Sequence, residues 1–480
     1  MQVDQLDGLR RTVGELQRKL AEAPREERSQ LAEAFAALAR GDSLAAEEAF
    51  ERDFEAQSRA VEEARAEAAA SARHVANLAL MRDVAKAASF YRKALALEPD
   101  HAETALRLGE ALFLLGDVNQ ANAAFTQALA SARKAGDAWG EMASHFGLGD
   151  VRTAAGDLAG AQAALARGEE IADEHVNNEP TSVEWRRGLA ICRSKIGDLL
   201  LAQGDGPRAL AVYRQSLMMQ QALVADDPAN IAWQGDLAAS LQRVGDVLIA
   251  LGNGLEALDA YHGSLAIHLA LRFLDPANTA RQGNVAEIQI RIGDLRATQG
   301  NGAGALAHYR QSLATTEALL AQDPANTRWQ GALAAGHERI GNSLVAQGDR
   351  AGGLVAYRLA RNAMEALLAR DPANTAWQRN LSVSDDRIGD VLVELGDAEG
   401  AMAAYRRSLA LRETLISRDA TNALWRQDLA SSYERIGYVR MTQGDGVAAL
   451  VAYRRALATQ EALIRHDPAN MAWSGTPARN

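Results

Sequence analysis

The sequence predicts an all-α protein built as an α-solenoid, a stack of antiparallel helix pairs. Three observations lead to this prediction: an internal period of 48 residues, a composition rich in alanine and leucine, and the absence of the alternating β-branched runs that mark strands. Alanine and leucine have high helix propensities. Only 10 prolines occur in 480 residues, and most of them stand at one position of the period.

Four series of residues define the period. Tryptophan, an Asp-Pro dipeptide and two glycines each recur on it, and the second glycine follows the first by seven residues. Arg281 occupies the one grid point that lacks a tryptophan. The tryptophans are Trp185, Trp233, Trp329, Trp377, Trp425 and Trp473. Four series on one period show that the chain consists of repeats.

Each repeat is predicted to contain two helices of about twenty residues joined by a short turn. In one copy, we expect the first helix over 375–395 and the second over 399–417. Thr375-x-x-Gln378 has the form of a capping box at the start of the first helix. Gly396 is expected to end that helix. Because the turn is only two or three residues long, the two helices must lie antiparallel.

Gly389 lies inside the predicted first helix, where glycine costs about 1 kcal/mol relative to alanine. We expect the second helix to explain this cost, because the small residues Ala401 and Ser408 flank Tyr405 there. Small residues opposite the glycine would let the two backbones approach closely, and the tyrosine would fill the space beside them. The same positions recur in the other copies, so they are predicted to form the core.

These residues resemble the tetratricopeptide repeat. The common unit of that family has 34 residues, and stretches 68–101 and 102–134 of this chain have that shorter form. The 48-residue unit is similar to the long-helix variants found in kinesin light chains and in bacterial tandem-repeat proteins. The resemblance implies a right-handed superhelix whose first helices line a concave groove. The residues that carry it are Ile388-Gly389, Gly396-Asp397, Ala401, Tyr405 and Ser408.

The pattern predicts five segments. Residues 1–26 are expected to form an N-terminal capping or coiled helix, and residues 27–67 a degenerate unit. Three units of 34 to 48 residues are predicted over 68–180, and six units of 48 residues over 181–472. Residues 473–480 are predicted to be the truncated start of a further unit or a tail.

Composition argues against several classes of function. A net charge of −11 disfavours binding to nucleic acid, which needs a basic surface. The single cysteine, Cys192, excludes an internal disulfide, and we expect it to be a small buried residue. Neither a secretory signal nor a membrane-spanning stretch is evident, so we expect a cytoplasmic protein. The preference for arginine over lysine indicates a bacterial source.

No set of residues indicates catalysis. The 9 histidines are scattered, and the HExxH, Walker and CxxC motifs are missing. The adjacent acids Asp226-Asp227 and Asp385-Asp386 are expected to be solvated charges. We therefore expect a protein that is not an enzyme and that uses no metal and no cofactor.

The pattern with functional content is a series of charges in the first helices, here called the charge ladder. A cation stands two residues before the first glycine of each unit, and an acid follows three residues after most of these cations. Residues three apart share a helix face, so we expect each cation to pair within its own helix. The cations are Lys195, Arg243, Arg291, Arg339, Arg387 and Arg435. The residues three positions later are Asp198, Asp246, Asp294, Asn342, Asp390 and Tyr438.

Two interpretations of the ladder stay open: ion pairs within and between repeats, or direct contact with a partner in the groove. Asn342 and Tyr438 replace the acid in two units. Arg339 and Arg435 are therefore expected to lack a partner and to be available for a partner's carboxylate. The residue just before each cation varies between copies, as a specificity position would. Its identities are Ser194, Gln242, Ile290, Glu338, Asp386 and Glu434.

These features predict a scaffold that binds a protein or peptide in the groove, without nucleic-acid or membrane partners. The alternative is a regulatory or sensor arm of a larger bacterial signalling enzyme whose effector domain lies elsewhere. Self-association through an uncapped C-terminal end is a further hypothesis, because Trp473 begins another unit shortly before Asn480.

Overall fold

The computed structural model describes residues 32–34, 36–37, 40, 43–80 and 83–466. Within these residues the regular secondary structure is α-helix, and no strand occurs among them. No helix of this part of the chain is both long enough and apolar enough to cross a membrane.

The chain divides into two compact units, Met1–Gly204 and Asp205–Asn480. In the first unit, each described helix packs on the next one along the chain. Its helices are α1 (Ser43–Leu80), α2 (Val84–Leu97), α3 (Ala102–Leu114), α4 (Val118–Ala135), α5 (Ala138–Ala154), α6 (Leu158–Asn178) and α7 (Val183–Ala202).

The second unit continues the same packing of consecutive helices. Its first and second helices alternate, so α9 with α10, α11 with α12, α13 with α14, α15 with α16 and α17 with α18 form the helix pairs. The predicted all-α solenoid of helix pairs is confirmed. The helices are α8 (Gly206–Asp226), α9 (Ile231–Ala250), α10 (Gly254–Leu274), α11 (Thr279–Thr298), α12 (Gly302–Gln322), α13 (Thr327–Ala346), α14 (Arg350–Arg370), α15 (Thr375–Glu394), α16 (Ala398–Arg418), α17 (Ala423–Thr442) and α18 (Gly446–His466).

The start of α15 differs from the predicted capping box. The N-cap is Asn374, whose side chain accepts a hydrogen bond from the Trp377 amide at 3.1 Å. Gln378 does not reach back to the N-cap, because its Nε2 donates to the carbonyl oxygen of Pro372 at 2.7 Å. Asparagine is a stronger N-cap than threonine, so the last residue of the Asp-Pro-Ala-Asn turn takes that role. The capping-box prediction is wrong here.

The end of α15 is a glycine in the left-handed conformation, as predicted. Gly396 has a φ of 80°, and the amide of Asp397 donates to the carbonyl oxygen of Leu392 at 2.9 Å. The Asp397 side chain then accepts a hydrogen bond from the Gly400 amide at 2.8 Å and caps α16. One short turn therefore ends the first helix and starts the second, and both helices agree with the predicted bounds to within one residue.

In the second unit, the glycine inside each first helix accommodates the tyrosine ring itself. A Cβ built on Gly341 would lie 2.6 Å from Cε1 of Tyr357, well inside van der Waals contact. The nearest neighbour of the glycine is thus the ring, and not the small residues of the second helix, which corrects the predicted arrangement. In the first unit Leu165 lies against Gly149 in the same way. Tyr357 is buried, as predicted for this position, whereas Tyr453 at the same position of α18 is 38% exposed.

Helix α1 crosses a predicted boundary between repeats. The sequence predicts a new unit at residue 68, but Ser43–Leu80 is one continuous helix. Neither glycine nor proline occurs in this stretch, so no residue in it favours ending the helix. The second helix of one unit and the first helix of the next are therefore fused. The predictions for residues 1–26 and 473–480 lie outside the described residues, as does part of the unit predicted over 27–67.

Cys192 is buried, as predicted. Its Sγ lies 3.6 Å from the carbonyl oxygen of Leu165, and burial raises the pKa of the thiol. A protonated, inaccessible thiol is unreactive, so this residue contributes packing.

Candidate functional site

The charge ladder joins neighbouring helix pairs and does not pair within one helix. Arg291 on α11 donates from Nη1 to Oδ1 of Asp246 on α9 at 2.6 Å. Arg339 on α13 donates from Nε to Oδ1 of Asp294 on α11 at 2.9 Å. Each of these cations pairs with the acid 45 residues earlier, because neighbouring first helices lie side by side and the arginine reaches across. The prediction of a partner three residues later is wrong.

Each of these aspartates, and Asp390 on α15, also accepts a hydrogen bond from the tyrosine of its own pair. Tyr309 donates its hydroxyl to Asp294 at 2.7 Å, and Tyr405 donates to Asp390 at 2.8 Å. Burial, together with the adjacent carboxylate, raises the pKa of both tyrosines. One aspartate therefore connects both helices of its own pair to the first helix of the next pair. We call an aspartate with these two donors a node.

Arg339 and Arg435 have acid partners, contrary to the prediction. Arg339 pairs with Asp294 at 2.9 Å, and Arg435 pairs with Asp390 at 3.0 Å. Arg435 also lies 3.4 Å from Asp386. Burial alone would lower the pKa of Arg435, but these two carboxylates outweigh it and raise the pKa. The prediction failed because it considered acids in the same helix only.

The ladder arginine that lacks an acid is Arg387. Its position in the ladder is opposite Asn342, whose Oδ1 accepts the Tyr357 hydroxyl at 2.6 Å. Burial raises the pKa of Tyr357 to about 12, and the positive charge of Arg387 opposes this rise. Within residues 83–466, no carboxylate oxygen lies within 4.0 Å of the Arg387 guanidinium, and its side chain is exposed. The charged guanidinium of Arg387 is therefore open to solvent at this position of the ladder.

The remaining ladder residues have the following places. In the first unit, Lys195 on α7 forms an ion pair with Asp150 on α5. Asp198 is half-buried on α7, and Arg243 is half-buried on α9. Tyr438 stands at the node position of α17 and is exposed. Contact of any of these residues with a partner stays a prediction.

Ladder residues line a cavity of about 1050 Å³ between α11 and α13. Its walls include Asp294, Tyr309, Glu338, Arg339 and Asn342. Two successive node positions therefore face the same open space in the second unit. Glu338, one of the positions that vary between copies, lies beside them, so this groove presents both constant and variable polar groups.

Asp386 is buried, although the sequence predicts a solvated charge. Its Oδ2 lies 2.7 Å from Nη2 of Arg412, and each of the two side chains is at most 4% exposed. Arg412 also donates to the carbonyl oxygen of Asp428 at 2.6 Å and to the hydroxyl of Ser432 at 2.7 Å. Asp386 is thus part of a packed ion pair between α15, α16 and α17, which corrects its interpretation as a groove-facing specificity residue. The sequence did contain a signal for this buried pair, because Arg412 is charged whereas the equivalent residue one repeat earlier is Met364.

Asp385 is buried too, and it lies 2.8 Å from Arg407 and 3.4 Å from Arg361. Burial raises the pKa of its carboxyl, and the two arginines oppose the rise. Asp226 and Asp227 are exposed, in agreement with the prediction for that pair. The acids at 385 and 386 therefore belong to the interior of the helix stack, where removing one partner is costly.

The other variable positions differ in burial. Ser194 is buried, whereas Gln242, Ile290, Glu338 and Glu434 are half-buried. In the described ranges, no cluster of three or more histidine, cysteine or acidic side chains is arranged to hold a metal ion.

Comparison with protein families gives two matches, both to tetratricopeptide repeat models. One model matches residues 78–144 and the other matches residues 386–415. The second match contains the first glycine, the turn and the tyrosine described above for α15 and α16. Among curated proteins, the search gave no match to this sequence.

Solved structures similar to this chain include BtubC (BKLC) from P. vanneervenii, which is 17% identical, with a TM-score of 0.42 over 57% of this chain and 96% of BtubC. A signal transduction ATPase with numerous domains (STAND) and a tetratricopeptide repeat sensor, from Pyrococcus horikoshii, is 10% identical. Its TM-score is 0.52, over 82% of this chain and 56% of that protein. MamA is 16% identical, with a TM-score of 0.30 over 46% of this chain and 97% of MamA. At such identities, the likeness to the STAND protein shows a shared fold and nothing about activity.

Proposed function

We propose that this chain, two segments of which match tetratricopeptide repeat models, is an interaction scaffold that binds a protein or peptide in the groove lined by the charge ladder. The observation that carries this proposal is the break in the ladder at Arg387. Arg291, Arg339 and Arg435 each have an aspartate of the preceding pair within about 3 Å, whereas the residue 45 positions before Arg387 is Asn342, which carries no charge and accepts the Tyr357 hydroxyl.

The ligand that fits Arg387 is a carboxylate, either an acidic side chain or a chain terminus. A guanidinium offers parallel N–H donors that match the two oxygens of a carboxylate. A hydrogen bond to a charged group contributes about 1.5–3 kcal/mol, which corresponds to about 10- to 100-fold in affinity. The neighbouring nodes are internally neutralised, so Arg387 supplies the local positive charge of this part of the groove.

The experiment uses an array of synthetic 12-residue peptides in matched forms, with acidic residues or their amides and with a free or an amidated C-terminus. Binding of the full chain to each form is measured by fluorescence polarisation. We expect carboxylate-bearing peptides to bind the wild type and to bind R387E at least about 10-fold more weakly.

Two further variants make this test specific. N342D restores the aspartate found at the other nodes, so it should engage Arg387 internally and weaken peptide binding without removing the arginine. R358E changes the charge of an exposed arginine on α14 and should leave binding unchanged. Equal affinity of the wild type and R387E, or equal losses for R387E and R358E, would contradict a role for Arg387.

The scaffold is proposed to work in the cytoplasm on protein partners, without nucleic acid or membrane. The alternative is a sensor or regulatory arm of a larger bacterial signalling enzyme. It is motivated by the printed description of the STAND protein as carrying a tetratricopeptide repeat sensor. Co-purification of this chain with a nucleotide-hydrolysing protein that its addition activates or inhibits would favour the alternative.

Self-association is a separate proposal that depends on helix α18. This helix exposes Val447, Leu450, Val451 and Leu457, each at least 50% accessible. An apolar face of this kind is often an interaction surface. Light scattering over a range of concentrations tests it, and a mass that stays monomeric at all of them would refute self-association.

A further inference from the structure

A second break in the repeat coincides with an open pocket. At the tryptophan grid point of α11 stands Arg281, and beside it lies a cavity of about 660 Å³. Ligand pockets in proteins typically measure roughly 300–1,000 Å³. The lining used below comes from three helices of the second unit: Ile231, Gly235 and Ala239 of α9, His268 and Leu271 of α10, and Arg281 of α11.

The same position is filled by an indole two pairs later. Trp377, the grid residue of α15, packs against a cluster that contains Met364 and Leu367 of α14. These two residues stand two periods after His268 and Leu271. The two junctions are therefore built from equivalent positions, and the residue at the tryptophan grid point differs.

A third junction also shows an indole in this region. A Cβ built on Gly283 would clash with the ring of Trp329, so that ring lies directly over the glycine. Over the equivalent Gly235, no atom of another helix within the described chain lies within 4 Å of such a Cβ. Gly331 is open as well, because Trp377 packs instead on the cluster around Met364. An indole of the next pair thus packs at both of these junctions, on the glycine at one and on the cluster around Met364 at the other.

Arg281 leaves this space open because its charged end is held elsewhere. Its Nη1 donates to the carbonyl oxygen of Leu271 at 3.2 Å and lies 3.6 Å from Asp275. These contacts fix the guanidinium at the end of α10. The side chain forms one edge of the pocket and does not cover its apolar floor.

The pocket also contains a buried polar atom without a partner. His268 is 4% exposed, and its Nδ1 makes no hydrogen bond within the described structure. A buried polar group without a hydrogen bond is destabilising, so a ligand that brings a donor to it is favoured. The unprotonated nitrogen of a neutral imidazole accepts a hydrogen bond, and an indole N–H is a donor of suitable reach. Met364, the equivalent residue of α14, has no buried nitrogen or oxygen that needs a hydrogen-bond partner.

We propose that this cavity, the Arg281 pocket, receives a tryptophan side chain from a protein bound in the groove. The inference rests on the proposed function, since it names one anchor of the bound partner. The partner's indole takes the place that the chain's own tryptophan takes at the other junctions. Its ring packs against Ile231, Ala239 and Leu271. The imidazole of His268 turns about its Cβ–Cγ bond on binding, because its Nδ1 is covered in the free chain, and this nitrogen then accepts the indole N–H. Buried aromatic anchors of this kind commonly dominate the affinity of an interface.

The test uses a neutral probe, N-acetyl-L-tryptophanamide, and the full chain labelled with ¹³C at isoleucine and leucine methyl groups. The methyl signals of Ile231 and Leu271 are followed during titration. We expect saturable shifts of these two residues with a Kd on the order of 1–5 mM, as suits a single side chain. N-acetyl-L-leucinamide should bind at least about 3-fold more weakly, because it neither fills the space nor donates from a ring.

Two variants locate the site. R281W should fill the pocket from within and abolish the shifts, whereas R310W, which adds a tryptophan at an exposed site on α12, should leave them unchanged. H268M introduces the residue found at the closed junction. It should weaken binding about 3- to 10-fold, which is the value of one net hydrogen bond. H268M therefore tests the assignment even if R281W does not fold.

The proposal is overturned if neither methyl group shifts up to about 10 mM probe, if R281W binds as well as the wild type, or if the leucine analogue binds equally. It is also overturned if the wild type dimerises and R281W does not, because the occupant would then be a second copy. The probe carries no carboxylate, so R387E should not alter its binding. Loss of peptide binding with intact probe binding would count against the proposed function only, and the reverse result against the pocket only.

Discussion

The junction between α9 and α11 and the junction between α13 and α15 are built from equivalent positions, but the first has Arg281 and His268 where the second has Trp377 and Met364. At the second, Trp377 packs on Met364 and Leu367. At the first, Arg281 turns to the end of α10 and leaves a cavity beside His268. The comparison indicates that one grid position determines whether a junction of this solenoid is closed by the chain itself or open to a partner.

The junction between α15 and α17 shows a third solution at the same place. There Arg412, which is equivalent to His268 and Met364, fills the space with a buried ion pair to Asp386. The three junctions are thus open, apolar and ionic. Repeat proteins tolerate such variety because each repeat contacts only its neighbours.

The largest effect on stability is expected from R412M, which removes the cation of the buried ion pair and introduces the methionine found at the apolar junction. R412M leaves Asp386 buried with only the contact to Arg435 at 3.4 Å. Breaking a buried ion pair costs about 3–5 kcal/mol, and the remaining contact places the expected loss near about 3 kcal/mol. Urea denaturation followed by circular dichroism measures it.

A double variant provides the control for that measurement. D386S with R412M removes both charges and should recover most of the lost stability, because a neutral replacement of a buried pair is often well tolerated. If the double variant is as unstable as R412M, the uncompensated charge is not the cause.

A smaller effect is expected from opening the apolar junction. W377A removes a half-buried indole and should reduce the free energy of unfolding by about 2 kcal/mol, below the value for a fully buried tryptophan. R281A at the open junction should cost under about 1 kcal/mol, since it removes a partly exposed contact. Equal losses in the two variants would show that the junctions do not differ as described.

Closing the open junction should stabilise the chain. R281W places an indole against Leu271 and Ala239, and cavity-filling substitutions typically add about 0.5–2 kcal/mol. We expect a gain of about 1 kcal/mol in urea denaturation. A loss of stability in R281W, with W377A behaving as above, would mean that the two junctions have different shapes.

The smallest effect is a dependence on pH that distinguishes His268 from Met364. Burial lowers the pKa of His268, and the Glu287 carboxylate opposes the shift. The stability that comes from the neutral imidazole is present above the unfolded pKa of about 6.5 and is lost as the pH falls below it. Between about pH 7 and pH 5 the wild type should therefore lose more stability than H268M. Parallel stability curves for the two proteins would refute this account of His268.

The fold was predictable from the sequence because the glycines, the turn residues and the core aromatics all recur with the same 48-residue period. The turn at Gly396, the helix bounds and the burial of Tyr357 follow from local propensities that repeat in each copy. The capping residue was missed because Asn374 and Thr375 are both good N-caps in adjacent positions.

The site was only partly predictable because its contacts run between repeats. The pairing of Arg339 with Asp294 spans 45 residues and depends on how two first helices lie side by side, which no local rule describes. The burial of Asp386 was missed for the same reason, since its partner Arg412 lies on another helix. Arg281 was visible as a break in the grid, but its pocket depends on where the guanidinium is held.

The most direct test of the central claim is to exchange the two junctions in one molecule. In the double variant R281W and W377R, the methyl shifts caused by N-acetyl-L-tryptophanamide are recorded as above, with circular dichroism to confirm folding. We predict that the shift of Ile231 disappears and that shifts appear at Leu367 and Leu381, weaker by a few-fold because Met364 lacks the acceptor of His268. A folded double variant in which Ile231 still responds, or in which neither junction responds, would contradict the claim that the grid residue determines where the solenoid is open.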